Sequence, residues 1–227
     1  TLAEKLADEI ADKNWEVRDA PHPHPSTVQE AIAIARSKSI ARMFGTVVFC
    51  DTSDAVGTGT PGENTWILKS LVEEAPDLIS YVPVRDSEAA AFAHAKELNE
   101  SVTLTVGGRL DRVYNRPFTF TGVLVHKSQG RLGKTVVLRD RGVHLILTEH
   151  PDSTPRPSYF TDLGLSLWKA DIVVVKNLFP FRFFYLLYNR KTVNVMTPGL
   201  SNVDVFALDY RSIPRPISPL DKIDSWR

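Results

Sequence analysis

The stretch TVVFCDTSDAVGTGTPGENTWILKSLVEEA, residues 46–75, predicts a strand, a loop and a helix in succession. Its first six residues form an apolar run that ends in an acid, which is typical of a buried strand. Three glycines follow in the loop, and apolar residues from Trp66 onward recur at helical spacing. Because a helix start offers unpaired backbone N–H groups and a partial positive charge, the loop is a candidate binding site. A tight strand-to-helix connection is the alternative interpretation.

Strand and helix patterns beyond this stretch predict the fold class. Residues 79–84 predict a second strand, and Asp86 or Ser87 predicts the cap of a helix over 88–98. Short alternating runs separated by glycine turns predict an antiparallel β-rich portion at about residues 101–150. Because strands and helices alternate before that portion, we predict an α/β fold: a mixed sheet with βαβ units plus the antiparallel portion.

Three further segments carry predictions about the remaining elements. Ser26, with Gln29 three residues later, predicts a capping box for the second helix. Residues 181–189 are apolar on more than one face and predict a helix. Residues 205–210 predict a strand that pairs at a sheet edge.

The composition is that of a soluble globular chain. Apolar residues make up 43% and charged residues 24% of the 227 residues, and the formal net charge is zero. The apolar runs are shorter than the roughly 18 residues that span a bilayer, so no membrane partner is expected. Basic residues are dispersed and have no nucleic-acid-binding motif, so no nucleic-acid partner is expected. The single cysteine, Cys50, excludes an internal disulfide and favours a buried structural thiol in a reducing, cytoplasmic setting.

Candidate binding residues lie in two segments. Glycine is required where a backbone approaches a ligand closely, because a Cβ atom would intervene. No Gly-Lys-Ser/Thr follows the loop, so it is not a P-loop. Asp54 and Glu63 argue against a strongly anionic ligand, unless they face away or hold a cation or amine. The substrate-binding candidates are Asp54, Gly57, Gly59, Gly62, Asn64 and Thr65 of the loop, together with Lys176 and Arg182.

Lys176 and Arg182 follow another buried strand, predicted at residues 171–176. The carboxyl ends of strands are where α/β proteins bind ligands, and an arginine can hold a carboxylate through two hydrogen bonds. The alternative is an internal salt bridge to Asp51 or Asp54, and both interpretations bring the two segments together. No His-Glu-x-x-His segment and no cysteine cluster occurs, so we predict no metal site within the chain and assign no catalytic residue.

Four motifs, in order along the chain, carry a resemblance to a known family. They are Asp51-x-x-Asp54 with the three glycines and Thr65; Gly107-Gly108 after a strand; the Val-Val-Val-Lys run ending at Lys176 with Phe181-Arg182; and Pro198-Gly199 with the Arg-Pro-x-x-Pro-Leu-Asp ending at 215–221. Together they cover about residues 46–221. In their order and spacing, these motifs resemble the C-terminal domain of the MlrC-like (microcystinase C) metallopeptidases.

The resemblance implies a zinc-dependent hydrolase of peptide or amide bonds whose zinc ligands lie in a longer N-terminal domain. Residues 1–45 would be the helical end of that domain, and residues 46–227 the C-terminal α/β domain. The implied partners are the protein's own N-terminal domain and a small peptide or amide substrate; assembly into a homo-oligomer is left open. Zinc is expected in the full-length protein and not in this chain, which is expected to be inactive when isolated.

Several positions depart from the family pattern. Ala55 and Val56 stand in place of Asn-Pro, Thr58 replaces the middle glycine, and Pro180 stands where the family has a histidine. The changes at Ala55, Val56 and Pro180 favour a second hypothesis, a non-catalytic module that retains the fold and binds a small molecule or a partner.

Overall fold

The computed structural model describes residues 1–20, 24–154, 156–178, 181–201 and 204–226. Within these residues the helices are α1 (Leu2–Glu16), α2 (Val28–Ser37), α3 (Ser39–Arg42), α4 (Trp66–Glu74), α5 (Ser87–His94), α6 (Ser158–Thr161) and α7 (Phe181–Phe184). The strands are β1 (Thr46–Asp51), β2 (Ser80–Arg85), β3 (Ser101–Val106), β4 (Phe118–Gly130), β5 (Gly133–Asp140), β6 (Val143–Thr148), β7 (Ile172–Val175) and β8 (Asn189–Val195).

The strands of the described residues form one mixed sheet in the order β3-β4-β5-β6-β2-β7-β1-β8. Neighbours from β6 to β8 pair in parallel, and neighbours from β3 to β6 pair antiparallel. Helix α4 connects the parallel strands β1 and β2, as expected for a βαβ crossover. The predicted α/β class, with a mixed sheet and an antiparallel β-rich portion, is therefore confirmed.

Strand β1 lies inside the parallel part of the sheet, between β7 and β8. All six of its residues are buried, which explains why the sequence shows a continuous apolar run there and not an alternation. Val47 and Phe49 face a core shared with α2, α4 and α5, whereas Val48 and Cys50 face a core that includes residues of α6 and α7. The strand thus carries the chain to the sheet's carboxyl edge between two packed layers.

Strand β4 changes partner along its length. Its first half pairs with β3 and its second half with β5, and the register shifts between Leu124 and His126. Such an irregularity bends a strand. The residue after β3, Gly107, donates its N–H to the Asp86 carboxylate at the start of α5 (3.0 Å). The loop after β3 therefore meets the carboxyl end of β2.

Helix α2 begins with a different cap from the predicted one. The Thr27 hydroxyl accepts the N–H of Glu30 (3.2 Å), and the Glu30 carboxylate accepts the N–H of Thr27 (2.9 Å). Ser26 instead forms a bridge to Val195 at the end of β8. The predicted capping box of Ser26 and Gln29 is wrong, because the sheet already holds the backbone of Ser26.

Two apolar segments fold differently from their predicted elements. Helix α7 is limited to Phe181–Phe184, and the chain then turns at the buried Tyr185, whose carbonyl accepts the N–H of Asn189 (2.8 Å). Asn189 begins β8 beside β1, so the helix predicted over 181–189 is too long. Val205–Ala207 forms a 3₁₀ turn and not the predicted edge strand. Apolar content alone did not distinguish these conformations.

The chain divides into two compact units. Pro25–Val203 contains the sheet and both cores, including the buried face of α2. Thr1–His24 and Asp204–Arg227 form the other unit, in which α1 buries none of its residues. The domain boundary expected after residue 45 stays a prediction. None of the described helices combines the length and apolar character that crossing a membrane requires.

Candidate functional site

Two strand ends place the predicted binding residues at the carboxyl edge of the parallel strands. Strand β1 ends at Asp51 and leads into residues 51–65, here named the glycine loop, and β7 ends just before Lys176. Because β1 and β7 are parallel neighbours, with Cys50 opposite Val175, Asp51 and Lys176 follow the strands side by side. This edge is where open α/β sheets bind ligands.

A buried ion cluster joins the two strand ends. The Lys176 ammonium donates hydrogen bonds to Asp51 Oδ2 (3.0 Å) and Asp54 Oδ2 (2.9 Å). All three side chains are at most 5% exposed. Of the two interpretations of Lys176, the internal salt bridge is the one that the structure shows, and it involves both carboxylates.

The cluster holds two carboxylates and one ammonium away from water. Burial lowers the pKa of Lys176, but the charges of Asp51 and Asp54 outweigh that influence and leave its pKa raised. Burial is also the largest influence on Asp51, and it raises the pKa of that carboxyl although the ammonium lowers it. Its raised pKa keeps Lys176 charged at neutral pH, where the ammonium pairs with both acids.

The Asp54 side chain closes the glycine loop on itself. Its Oδ1 accepts the N–H of Gly62 (2.9 Å), and its Oδ2 accepts the N–H of Asn64 (2.7 Å) as well as the Lys176 ammonium. Asp54 is 3% exposed. Its oxygens are thus engaged by the protein, and the residue fixes the shape of the loop.

The end of the glycine loop that leads into α4 is also held by side chains. The N–H of Thr65 donates to Asn115 Oδ1 (3.2 Å), and the N–H of Trp66 donates to Asn64 Oδ1 (3.0 Å). The Asn64 amide reaches across to the carbonyl of Pro198 (2.7 Å). These backbone N–H groups, which the sequence offered as an anion cradle, are engaged within the protein.

The middle of the glycine loop is built differently. Gly57, Thr58 and Gly59 are exposed, and a Cβ atom added at Gly57 or Gly59 would have no neighbouring atom within 4 Å. Gly62, by contrast, is buried and has φ +78°, and a Cβ atom there would lie 3.0 Å from Val56 Cγ2. The loop therefore has a buried base, residues 51–55 and 62–65, and an exposed tip, Gly57–Gly59.

Arg182, the remaining predicted residue, lies at the surface in α7. Unlike Lys176, it forms no ion pair with any residue that the structure describes. Its charge acts on Cys50 at the end of β1, although burial dominates there and raises the pKa of the Cys50 thiol to about 12. Cys50 is thus a buried thiol with a raised pKa, and Arg182 presents a charge to solvent.

Glu63 has a structural role that the sequence did not reveal. It is 1% exposed, and its carboxylate accepts the N–H groups of Arg109 (3.2 Å), Leu110 (2.8 Å) and Asp111 (2.6 Å). The carboxylate thus faces the loop after β3. The three N–H donors lie 46 to 48 residues after Glu63 in the sequence, so no local pattern could have indicated this contact.

A cleft of about 750 Å³ lies beside the glycine loop. Val56 lines it, together with the β4–β5 hairpin and the segment that follows β6. Its charged and aromatic lining residues include Arg131, Asp152, Arg156 and Tyr159. Sequence reasoning did not name these residues; the one available indication was a proline-rich loop directly after a predicted strand.

One wall of the cleft is attached to the ion cluster through Thr154. This residue is fully buried with φ +53°, and its hydroxyl accepts the backbone N–H of Lys176 (3.1 Å). The Thr154 N–H donates to Asp152 Oδ1 (2.7 Å), and Asp152 in turn pairs with Arg131 at the cleft. The cleft and the glycine loop thus share one supporting network.

The residues present do not suit a zinc ion. Across the described residues, no group of three or more His, Cys, Asp or Glu side chains is placed to hold a metal. Asp51 and Asp54 are two neighbouring carboxylates, but both accept hydrogen bonds from the Lys176 ammonium. We therefore derive no metal chemistry from this chain.

The open mixed sheet, with helices packed on it and loops at its carboxyl edge, defines a domain of the α/β class. Residues 49–212 match the family described as MlrC C-terminus. This match covers well over half of the chain, so the chain belongs to the MlrC C-terminal family, and the resemblance carried by the four motifs is confirmed.

Two relatives extend this result. Microcystinase C from Sphingomonas sp is 23% identical over 189 residues, which are 78% of this chain and 36% of that protein. The crystal structure of a protein proposed to be a metallopeptidase, from Mesorhizobium sp. BNC1, is 23% identical with a TM-score of 0.78, over 95% of this chain and 45% of that one. The chain is similar to the second in fold, and it spans less than half the length of either.

Proposed function

We propose that this MlrC C-terminal domain is the substrate-side part of a zinc-dependent peptidase or amidohydrolase. The family match and the names of the two relatives support a metallopeptidase-like protein. The observation that carries the substrate-side role is the construction of the glycine loop, whose buried base is fixed by Lys176 while its tip is exposed. A substrate-contacting group needs such a rigid support.

The loop tip and Arg182 supply the substrate contacts in this proposal. Gly57 and Gly59 have no side chains, so a peptide or amide can approach the loop backbone closely. Arg182 is exposed, and its guanidinium suits a carboxylate at one end of a substrate. The other predicted residues act indirectly by holding the loop: Asp54, Gly62, Asn64, Thr65 and Lys176.

The zinc ion belongs, in this proposal, to another part of a longer protein. The chain corresponds to 36% and 45% of its two relatives, so proteins of this kind have further residues that can supply ligands. We propose an N-terminal domain as the partner that holds zinc, a small peptide or amide as the substrate, and the cytoplasm as the compartment. The isolated chain is then expected to show no hydrolysis.

Hydrolysis by the full-length protein tests the role of Arg182. We expect Arg182→Ala to lower kcat/KM at least about tenfold for a peptide with a free carboxylate, because a charge-assisted hydrogen bond is lost. Arg190→Ala, which removes another exposed arginine, is the matched control. Unchanged kinetics in Arg182→Ala, at equal zinc content, would remove this residue from the substrate site.

A non-catalytic binding module is the second candidate. The observation that favours it is the Ala55-Val56 departure from the family pattern, because Val56 lines the cleft beside the loop tip. Pro180, the other departure, lies outside the described residues. Metal analysis of the complete protein separates the two candidates: one zinc per chain supports the hydrolase, and its absence supports the binding module.

A further inference from the structure

A second pocket, of about 430 Å³, lies against the loop that follows β3. Residues 107–117 are here named the arginine loop. The pocket is lined mainly by this loop, through Gly107, Gly108, Arg109, Arg112, Asn115 and Arg116. None of the binding residues predicted from the sequence is among its lining residues.

The backbone of the arginine loop is held in one shape. The buried Glu63 carboxylate accepts three consecutive N–H groups of the loop, at residues 109–111. Asp111 Oδ1 accepts two further N–H groups of the loop, from Val113 and Tyr114 (3.0 Å each). Side chains projecting from this loop therefore start from a fixed backbone, which lowers the entropy lost on binding a ligand.

The three arginines of the pocket differ in their charge balance. Arg109 pairs with Asp86 (2.7 Å) and Glu88 (2.7 Å), so its charge is compensated. Arg112 and Arg116 form no ion pair with any carboxylate in the part of the chain that the structure describes. Two uncompensated guanidinium groups thus face one small pocket on a protein whose formal net charge is zero.

Both uncompensated guanidinium groups are anchored by the loop itself. Arg116 Nη1 donates to the carbonyls of Arg112 (3.1 Å), Val113 (3.1 Å) and Asn115 (2.8 Å). Arg112 Nε makes a longer contact with the carbonyl of Arg109 (3.4 Å). Each group uses one nitrogen for its anchor and keeps other N–H donors for a ligand, since a guanidinium carries five.

We propose that this pocket binds the oxyanion group of a small ligand, a carboxylate or a phosphate, through Arg112 and Arg116. A guanidinium fork matches the oxygens of either group with paired hydrogen bonds. Arg109 contributes to the pocket wall and, because Asp86 and Glu88 already pair with it, does not add to the excess charge. The site goes beyond the function proposed above and does not depend on it.

NMR titration of the 227-residue chain tests the proposal, with the arginine Nε–Hε resonances as the readout. Inorganic phosphate is one probe; N-acetyl-dialanine with a free carboxylate is the other, and its C-terminal amide is the uncharged comparison. We expect saturable shifts at Arg112 and Arg116, and an affinity about tenfold lower in Arg112→Ala and in Arg116→Ala. Arg190→Ala, an equal loss of charge elsewhere, should change the affinity less than twofold.

The outcomes separate the possible ligands from a failure of the proposal. Saturation by phosphate alone or by the dipeptide alone identifies the preferred oxyanion. Shifts that do not saturate, equal binding of the amide, or equal weakening by Arg190→Ala would overturn the site. If Arg116→Ala disturbs the loop spectrum, Arg112→Ala decides, because its guanidinium has only the long anchor contact. No hydrolysis is measured, so failure here leaves the proposed function untouched.

Discussion

The base and the tip of the glycine loop are adjacent in sequence but differ in burial and in hydrogen bonding. At the base, Asp54 is buried against Lys176 from the end of β7, and each carboxylate oxygen of Asp54 accepts a hydrogen bond. At the tip, Gly57 and Gly59 are exposed and have open space where a side chain would begin. The difference teaches that one glycine-rich motif can combine a buried segment fixed by hydrogen bonds with an exposed segment at the surface.

The base also differs from the anion cradle that the sequence suggests. A strand–loop–helix order suggests an anion cradle made of helix N–H groups. Here the side chains of Asp54, Asn115 and Asn64 accept the N–H groups of Asn64, Thr65 and Trp66, so these donors at the helix start are engaged within the protein. The tip is the part of the loop that remains accessible.

Removing the ammonium of Lys176 should have the largest effect on the base. Lys176→Met leaves Asp51 and Asp54 buried without their counter-charge, so we expect the free energy of unfolding to fall by about 3–5 kcal/mol. Urea unfolding at pH 7 measures the loss. Because the paired lysine has a raised pKa, the contribution is complete below about pH 10, where an unpaired lysine begins to titrate, and is lost as pH rises through the raised value.

Two further variants control for side-chain loss at Lys176. Lys191→Met removes an exposed lysine and should change stability by less than about 0.5 kcal/mol. Lys176→Met combined with Asp51→Asn and Asp54→Asn removes the uncompensated charges and should recover part of the loss. If the single Lys176 variant were as stable as Lys191→Met, the ion cluster would not be what holds the base.

The reaction rate of the Cys50 thiol reports whether the base of the glycine loop is closed to solvent. Burial raises its pKa to about 12, so the thiolate fraction at pH 8 is about a thousandfold lower than for a free thiol. We expect the native protein to react with a thiol reagent at least that much more slowly than the urea-unfolded protein. Rapid labelling of the native protein would contradict a closed base.

Glycine at position 62 should matter for stability. Gly62→Ala forces an alanine into φ +78° and brings its Cβ to 3.0 Å from Val56 Cγ2, so we expect a loss of about 1–2 kcal/mol. Thermal and urea unfolding both measure this loss. An unchanged free energy of unfolding would mean that the base adapts easily to alanine and that the tip has no fixed support.

Glycine at position 57 should matter for function and hardly for stability. Gly57→Ala meets no atom within 4 Å, so the free energy of unfolding should change by less than about 0.5 kcal/mol. In the full-length protein we expect the added methyl group to raise KM for a peptide substrate, because it narrows the approach to the loop backbone. An unchanged KM would show that the tip does not contact the substrate, and it would not affect the conclusions about the base.

Much of the fold could be predicted from local sequence. The buried run of β1 and the alternation of β3 have clear periodicities, and both strands are where they were expected. The segment 181–189 failed because its apolar residues divide between a short helix, a turn at Tyr185 and the start of β8. Burial imposed by the neighbouring β1 decided that division, and no periodic pattern encodes it.

Less of the candidate site could be predicted. The sequence identified the two segments that meet and named a Lys176 salt bridge as one of two alternatives. It gave no indication of Glu63 as the support of the arginine loop, or of Asn115 as the acceptor for Thr65, since these partners lie 46 to 50 residues apart. Hydrogen bonds between distant loops depend on how the sheet brings the loops together.

The sequence by itself determined the α/β class, the family and the position of the glycine loop, because periodicity and motif spacing are local properties of a chain. Only the tertiary structure decided which groups each polar side chain contacts. It placed Lys176 against Asp51 and Asp54, which lie 125 and 122 residues away, so the ammonium is held inside the protein. The physical reason is burial: once the parallel strands exclude water, an ammonium must lie beside carboxylates, and the register of β1 and β7 selects which ones.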